Sequence, residues 1–122
     1  MDAKRVLIID DDAELCQELA ELLNGEGYAT AYTTDAGEGE ALLRTGAYDT
    51  ILLDCRMPRL GGLHILRNIE SEDIARRILV ITGYPCVENL LREGGLMEKI
   101  GGVIAKPINP VSLLDRIREQ AA

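Results

Sequence analysis

Four short apolar runs, each followed at once by a polar or charged residue, set the strongest limits on how this chain folds. The runs are Val6–Ile9, Ile51–Leu53, Ile78–Ile81 and Val103–Ala105. They are mostly Val, Ile and Leu and are separated by helix-length segments, a pattern typical of buried parallel strands. Because parallel strands of an open sheet point the same way, we expect the residues that follow them to gather at one edge, where ligands bind.

This edge should carry carboxylates, one hydroxyl and one ammonium group. The residues that follow the four runs are, in order, Asp10-Asp11-Asp12, Asp54, Thr82 and Lys106. Carboxylate oxygens are ligands that Mg²⁺ prefers, together with phosphate oxygens. An aspartate can also attack phosphorus as a nucleophile, and a cation nearby neutralises the charge that develops. The set therefore suits a divalent cation and a phosphoryl group together.

The segments between the strands have apolar residues at helical spacing. A further strand is predicted over Tyr28–Thr33, and the last helix is predicted to bury an apolar stripe of Val111, Leu114 and Ile117. Five alternating β-α units predict a doubly wound α/β fold. Right-handed crossovers favour a five-stranded parallel sheet in the order 2-1-3-4-5, the flavodoxin-like (βα)5 sandwich.

Helix boundaries can also be predicted from capping residues. Asp12, Asp35 and Asn109 are candidate N-caps. Pro110 suits the first position of the last helix, because its missing N–H would have no partner there. Gly94-Gly95 should end or interrupt the fourth helix.

Length, charge and cysteine content narrow the class of protein. At 122 residues, the chain is expected to be a single domain, residues 1–122, without an output domain. The net charge of −8 argues against direct binding to nucleic acid, which needs basic residues on its phosphates. Three cysteines without framework spacing, and the lack of a long apolar stretch, predict a reduced cytoplasmic setting without membrane insertion.

Together these motifs resemble the receiver domain of two-component response regulators, and the resemblance extends over essentially the whole chain. The matching motifs are Ile8–Asp12, Leu53–Pro58 with Gly62, Val80–Gly83 and Ala105–Pro107. By this resemblance, Asp54 is the phosphoacceptor and Asp10 and Asp11 are the acidic pair that binds Mg²⁺. The resemblance also makes Asp54 and the backbone carbonyl of Arg56 metal ligands.

The same resemblance gives roles to residues around the phosphoryl group. Thr82 matches the switch hydroxyl of the family, and Lys106 matches the lysine that pairs with the phosphoryl group. Arg56 and Tyr84 occupy positions that tune the lifetime of that group. The Lys106–Pro107 peptide bond is a candidate for the cis form, because cis bonds are essentially confined to proline.

The implied function is that of a phosphoacceptor rather than an enzyme. A sensor histidine kinase or a histidine phosphotransfer protein would phosphorylate Asp54, at most alongside self-phosphorylation from small donors and self-dephosphorylation. Phosphorylation would then change how the surface formed by the fourth helix, fifth strand and last helix interacts. A downstream protein or a second copy of the chain would bind this surface.

Two departures from the family pattern affect the expected switch. Val103 stands where the family usually has Tyr or Phe, so the usual coupling between a threonine and an aromatic ring cannot operate in that form. The segment from Thr82 to Lys106 is also about two residues longer than is common, with the excess placed near Gly94–Gly102.

Two alternative functions remain open at this point. One is a degenerate receiver that serves as an interaction module. The other is a haloacid dehalogenase-like phosphatase, which uses an Asp-x-Asp nucleophile motif that Asp10 and Asp12 fit loosely. The residues after Asp12 do not match that motif, only 16 residues follow Lys106, and Asp54 would have no role.

Overall fold

A computed structural model describes residues 3–55, 61–83 and 86–121, which form a parallel sheet between two layers of helices. The strands are β1 (Arg5–Ile9), β2 (Ala29–Thr33), β3 (Thr50–Asp54), β4 (Ile78–Thr82) and β5 (Gly102–Ala105). The helices are α1 (Ala13–Gly25), α2 (Ala36–Arg44), α3 (Gly61–Asn68), α4 (Glu72–Arg76), α5 (Cys86–Glu93) and α6 (Pro110–Ala121). Among the described residues, no helix has the length and apolar character needed to span a bilayer.

The five strands pair in the order β2-β1-β3-β4-β5, and every pair is parallel, which confirms the predicted topology. The register places Ile9 opposite Leu53 and Thr82 opposite Ala105. Because the strands end nearly level with one another, the residues at their carboxyl ends lie along one edge.

Alternate side chains of the strands pack into two separate apolar layers, because successive residues of a strand point to opposite faces. Leu7, Ile9 and Leu53 lie in the layer that contains Leu43 of α2. The opposite layer, beneath α1 and α6, contains residues such as Val6, Ile8, Leu52 and Ile117. Every residue of β3 and β4 is buried, since helices cover both faces of the sheet.

Three predicted helix caps are present. Asp12 Oδ1 accepts the backbone N–H of Leu15 at 3.1 Å, and Asp35 Oδ2 accepts that of Glu38 at 2.8 Å. Asn109 Oδ1 accepts two backbone N–H groups of α6, at 3.0 and 3.1 Å. Each side chain satisfies donors that the first turn of a helix would otherwise leave unpaired.

Helix α4, between α3 and β4, was not expected from the sequence. Ser71 caps this five-residue helix by accepting the N–H of Ile74 at 3.2 Å. Acidic residues occupy its first turn and Arg76 its last turn, which suits the helix dipole. A helix with a single buried residue, Ala75, has no apolar period that a sequence pattern could reveal.

The expected apolar stripe of α6 was wrong in one position. Val111 is 68% exposed, whereas Leu113 is fully buried beside Leu114 and Ile117. At 3.6 residues per turn, Val111 lies about 110° around the helix axis from the centre of this buried face. The buried stripe therefore consists of Leu113, Leu114 and Ile117.

The segment between α5 and β5 packs against the core. Helix α5 ends at Glu93, before Gly94-Gly95 as predicted, and Gly95 adopts a φ of +71°. Leu96 donates its N–H to Leu91 O at 2.8 Å, and both Leu96 and Ile100 are buried. This segment, where the sequence analysis placed the extra length, therefore contributes apolar side chains to the core.

Substitutions in α6 test the corrected stripe. We expect Leu113→Ala to lower the free energy of unfolding by about 2–5 kcal/mol, because it leaves a cavity in the core. Val111→Ala should change it by less than about 0.5 kcal/mol, since the side chain is exposed. Urea unfolding followed by circular dichroism measures both, and equal losses for the two variants would contradict the packing described here.

Candidate functional site

The residues predicted to gather at one sheet edge do lie together there. Asp10 directly follows β1, Asp54 and Thr82 are the last residues of β3 and β4, and Lys106 directly follows β5. Asp10 is completely buried and Asp54 is 4% exposed, whereas Asp11 is exposed to solvent. The site therefore combines two buried carboxylates with one that solvent reaches.

The three carboxylates form a compact cluster. One oxygen from each of Asp10, Asp11 and Asp54 lies within 4.8 Å of the other two. Negative charges this close repel one another, and burial removes the water that would screen them. A hard divalent cation resolves that repulsion, and a donor set made only of carboxylate oxygens is the kind that Mg²⁺ accepts, with waters completing its shell.

Lys106 supplies a positive charge to the same cluster. Its Nζ lies 3.0 Å from Asp10 Oδ2 and 3.8 Å from Asp54 Oδ2. Partial burial alone would lower the pKa of Lys106, but the hydrogen bond to Asp10 and the charges of Asp54, Asp10 and Asp11 outweigh burial and raise it. The ammonium group therefore stays protonated at neutral pH.

Two further contacts hold Asp10 in place. The backbone N–H of Asp12 donates to Asp10 Oδ1 at 3.0 Å, and the thiol of Cys16 donates to Asp10 O at 3.3 Å. Burial, with smaller effects from the charges of Asp10 and Asp12, raises the pKa of Cys16 to about 11, so the thiol keeps its proton. Sequence reasoning missed Cys16, because a cysteine on an apolar helix face has no distinguishing pattern.

Thr82 and Lys106 are connected through the backbone. Lys106 donates its N–H to Thr82 O at 2.8 Å, and Thr82 is buried. The Lys106–Pro107 peptide bond is cis, as predicted. Strand β4 and the segment after β5 are thus held in register at the sheet edge, beside the Lys106 ammonium group.

Gly62, in the first turn of α3, makes a close backbone approach to the acceptor strand. Its N–H donates to Cys55 O at 3.2 Å. A Cβ at this position would lie 2.7 Å from Cys55 Cα and closer still to the carbonyl oxygen of Asp54. Only glycine therefore lets α3 return this close to Asp54, a role that the sequence motif alone did not reveal.

The remaining site candidates divide into two groups. Arg56 and Tyr84 lie outside the described residues. Val103 is partly buried against the core and has neither ring nor hydroxyl. Cys55 directly follows Asp54 in the chain. Burial, with a smaller effect from the charge of Asp54, raises the pKa of the Cys55 thiol to about 12, so it carries little nucleophilic thiolate.

Comparisons with known proteins agree with this geometry. The family model of the response regulator receiver domain matches residues 6–118. The cell cycle response regulator CtrA of Brucella ovis is 34% identical over 114 residues, which cover 93% of this chain and 48% of that protein. The chain thus spans about half the length of the curated relatives it matches.

Solved structures show the same fold. A CheY-like response regulator receiver domain protein from Methanospirillum hungatei has a TM-score of 0.81 and 29% identity, covering 98% of this chain and 94% of that one. The non-phosphorylated HemR receiver domain from Leptospira biflexa has a TM-score of 0.82 and 26% identity, with the same coverage. The chain belongs to the response regulator receiver domain family, the signalling domains of two-component systems.

Replacing Gly62 tests the close approach of α3 to the acceptor strand. Gly62→Ala should lower the free energy of unfolding by about 1–3 kcal/mol, because the added methyl group overlaps the backbone of β3. Gly25→Ala is a matched control: nothing lies within 4 Å of a Cβ there, so the change should be neutral or stabilising by up to about 1 kcal/mol. Chemical denaturation measures both, and a neutral Gly62→Ala would contradict the proposed packing.

Proposed function

We propose that Asp54 accepts a phosphoryl group in a Mg²⁺-dependent reaction, with a histidine kinase or a histidine phosphotransfer protein as the donor. The observation that supports this most is the cluster of Asp10, Asp11 and Asp54, with Lys106 pairing its buried members. This arrangement can hold a divalent cation beside a carboxylate and still offer a cation to an incoming phosphoryl group.

The chemistry follows from the roles of the individual groups. A carboxylate oxygen of Asp54 forms a bond to phosphorus while the phosphorus–nitrogen bond of the donor's phosphohistidine breaks and the imidazole leaves. Bound Mg²⁺ would neutralise charge shared between Asp54 and the phosphoryl oxygens. Asp10, Asp11 and the backbone carbonyl of Arg56 would hold the ion together with Asp54.

Two neighbouring side chains would hold the transferred group. The Lys106 ammonium would pair with one phosphoryl oxygen, and the Thr82 hydroxyl would donate a hydrogen bond to another. Arg56 and Tyr84 would then tune the lifetime of the aspartyl phosphate. The domain would act as a signalling component in the cytoplasm, with no chemistry on other molecules beyond taking up and releasing its own phosphoryl group.

Signalling would use the surface formed by α5, β5 and α6. Thr82 would move toward the phosphoryl group and shift Ala105, its neighbour in β5. With valine at position 103, the change would reach α5 through movement of the buried segment around Leu96 and Ile100. A downstream protein or a second copy of the chain would read this surface.

The alternatives fit the geometry less well. A haloacid dehalogenase-like phosphatase would use Asp10 and Asp12 and leave Asp54 without a role, yet Asp54 lies in the same cluster as Asp10 and Asp11. A degenerate receiver would have lost part of the phosphorylation site. Here the residues that would serve as acceptor, acidic pair, hydroxyl donor and lysine all lie at the ends of strands, along one sheet edge.

Phosphorylation by a small donor tests the proposal. Incubation with acetyl phosphate and Mg²⁺ should add one phosphoryl group, about 80 Da, to the intact mass, since the site holds both the ion and the acceptor. Asp54→Asn and a chelator should each abolish this gain. Asp115→Asn, which removes an exposed carboxylate of α6, should not.

The outcomes separate the three functions. Labelling that survives Asp54→Asn, or that proceeds equally well in chelator, would overturn the proposal. Absence of labelling would favour the degenerate receiver, and continuous release of phosphate from a generic phosphomonoester would favour the phosphatase.

A further inference from the structure

The outer edge of β2 is a surface that the proposed function does not use. Strand β2 stands first in the strand order, so in the described part of the chain it pairs with β1 and has no strand on its other side. The N–H of Ala29 donates to Lys4 O at 2.9 Å, which directs the backbone groups of Ala29 inward. Because these groups alternate in direction along a parallel strand, Thr30 and Tyr32 direct their N–H and C=O groups outward.

The same edge exposes an aromatic side chain. Tyr32 is 40% exposed, although its ring is large and mostly apolar. Its hydroxyl accepts a hydrogen bond from Gln17 Nε2 of α1 at 3.4 Å. The hydroxyl of Thr30 donates to Asn24 Oδ1, also of α1, at 2.8 Å. Both outward-facing residues therefore have their side chains on the α1 side of the sheet.

A row of acidic residues on α1 borders this edge. Gln17 and Asn24 lie about two helical turns apart, and each contacts β2. Glu21 lies between them on the same helix face, since residues three and four apart are neighbours there. Glu14 continues the row by one turn. Both glutamates are exposed and α1 contains no basic residue, so negative charge accompanies the outward-facing backbone groups of the strand.

We propose that the outer edge of β2 binds an extended, basic segment of a partner protein as an added strand. The N–H and C=O groups of Thr30 and Tyr32 would bond to the backbone of that segment. Its lysine or arginine side chains would lie near Glu14 and Glu21, and their apolar stems would cover the ring of Tyr32. This binding does not depend on the proposed phosphoacceptor chemistry.

A second copy of the chain suits this edge less well. Two β2 strands related by a two-fold axis perpendicular to the sheet would place both α1 helices on the same face. The glutamates of the two copies would then approach each other, and like charges across a strand pair are destabilising. The net charge of −8 adds to this repulsion. Charge complementarity therefore favours a basic partner.

Binding of a synthetic peptide tests the proposal. A peptide of about eight residues in which lysine and valine alternate is long enough to form a strand. It is added to the full chain in about 0.1 M salt, where charges more than about 10 Å apart are largely screened, and amide hydrogen exchange is followed by NMR. Exchange at Thr30 and Tyr32 should slow, because their N–H groups gain acceptors. Ala29, whose N–H already bonds to Lys4 O, should keep its rate.

Paired variants separate the charge of this edge from the net charge of the chain. Glu14→Gln combined with Glu21→Gln should weaken peptide binding by about fivefold, because two exposed ion pairs are lost. Glu93→Gln combined with Glu98→Gln removes the same charge at exposed positions just before β5. Since β5 lies four strand spacings from β2, about 19 Å, this control should stay within about twofold.

Peptide variants test the strand pairing itself. Replacing a central valine by proline keeps the charge but removes a backbone N–H, and should weaken binding by about fivefold or more. Unchanged exchange at Thr30 and Tyr32 in millimolar peptide, or equal losses in the two double variants, would overturn the proposal. So would equal binding of a peptide with glutamate in place of lysine. Slower exchange at these two residues that depends on protein concentration, without peptide, would overturn it in favour of a second copy.

Discussion

The electrostatic repulsion among the carboxylates at the edge of the sheet is the constraint on which the rest of this structure depends. Asp10 and Asp54 are buried, and one carboxylate oxygen of each lies within 4.8 Å of the other and of one oxygen of Asp11. An arrangement of this kind is stable only where cations and N–H groups compensate its charge. Lys106 and the Asp12 N–H offset part of this charge, and clustered carboxylate oxygens are a donor set that a divalent cation accepts.

The apolar sheet is what can hold such a cluster in place. Strands β3 and β4 are buried at every residue, and the two apolar layers fix them from both faces. Because the dense interior resists deformation, strand ends can present like charges close together without moving apart. Gly62 contributes by letting α3 return against the backbone of Asp54 and Cys55. Stability therefore comes from the core, which holds the like charges of the edge close together.

Sequence patterns predicted most of this arrangement because it depends on local rules. Apolar runs and capping residues are each encoded within a few residues, and the right-handedness of crossovers is a general rule of strand-helix-strand units. Together they predicted the strand order and the placement of Asp54 and Lys106 at one edge. The family resemblance supplied the expected chemical roles, and the compact geometry of the cluster agrees with a cation site. The match of the family model to residues 6–118 then established the class of protein.

The features that the sequence did not reveal depend on tertiary contacts. Helix α4 is too short to show an apolar period, and the burial of Leu113 instead of Val111 depends on how α6 docks on the sheet. The thiol of Cys16 became part of the site only through its contact with Asp10 O. Likewise, the preference of Lys106 for Asp10 over Asp54 is a matter of less than 1 Å, which no residue pattern specifies.

Backbone amide NMR with Mg²⁺ and beryllofluoride, a mimic of the phosphoryl group, tests most directly whether this edge is a single cation and phosphoryl site. We expect Mg²⁺ alone to shift the amide resonances of residues 10–12 and 54–55, and beryllofluoride with Mg²⁺ to add shifts at Thr82, Lys106 and residues 86–102. Asp54→Asn should remove the second set and leave shifts at residues 10–12. Beryllofluoride shifts that arise elsewhere, or that persist in Asp54→Asn, would contradict the account.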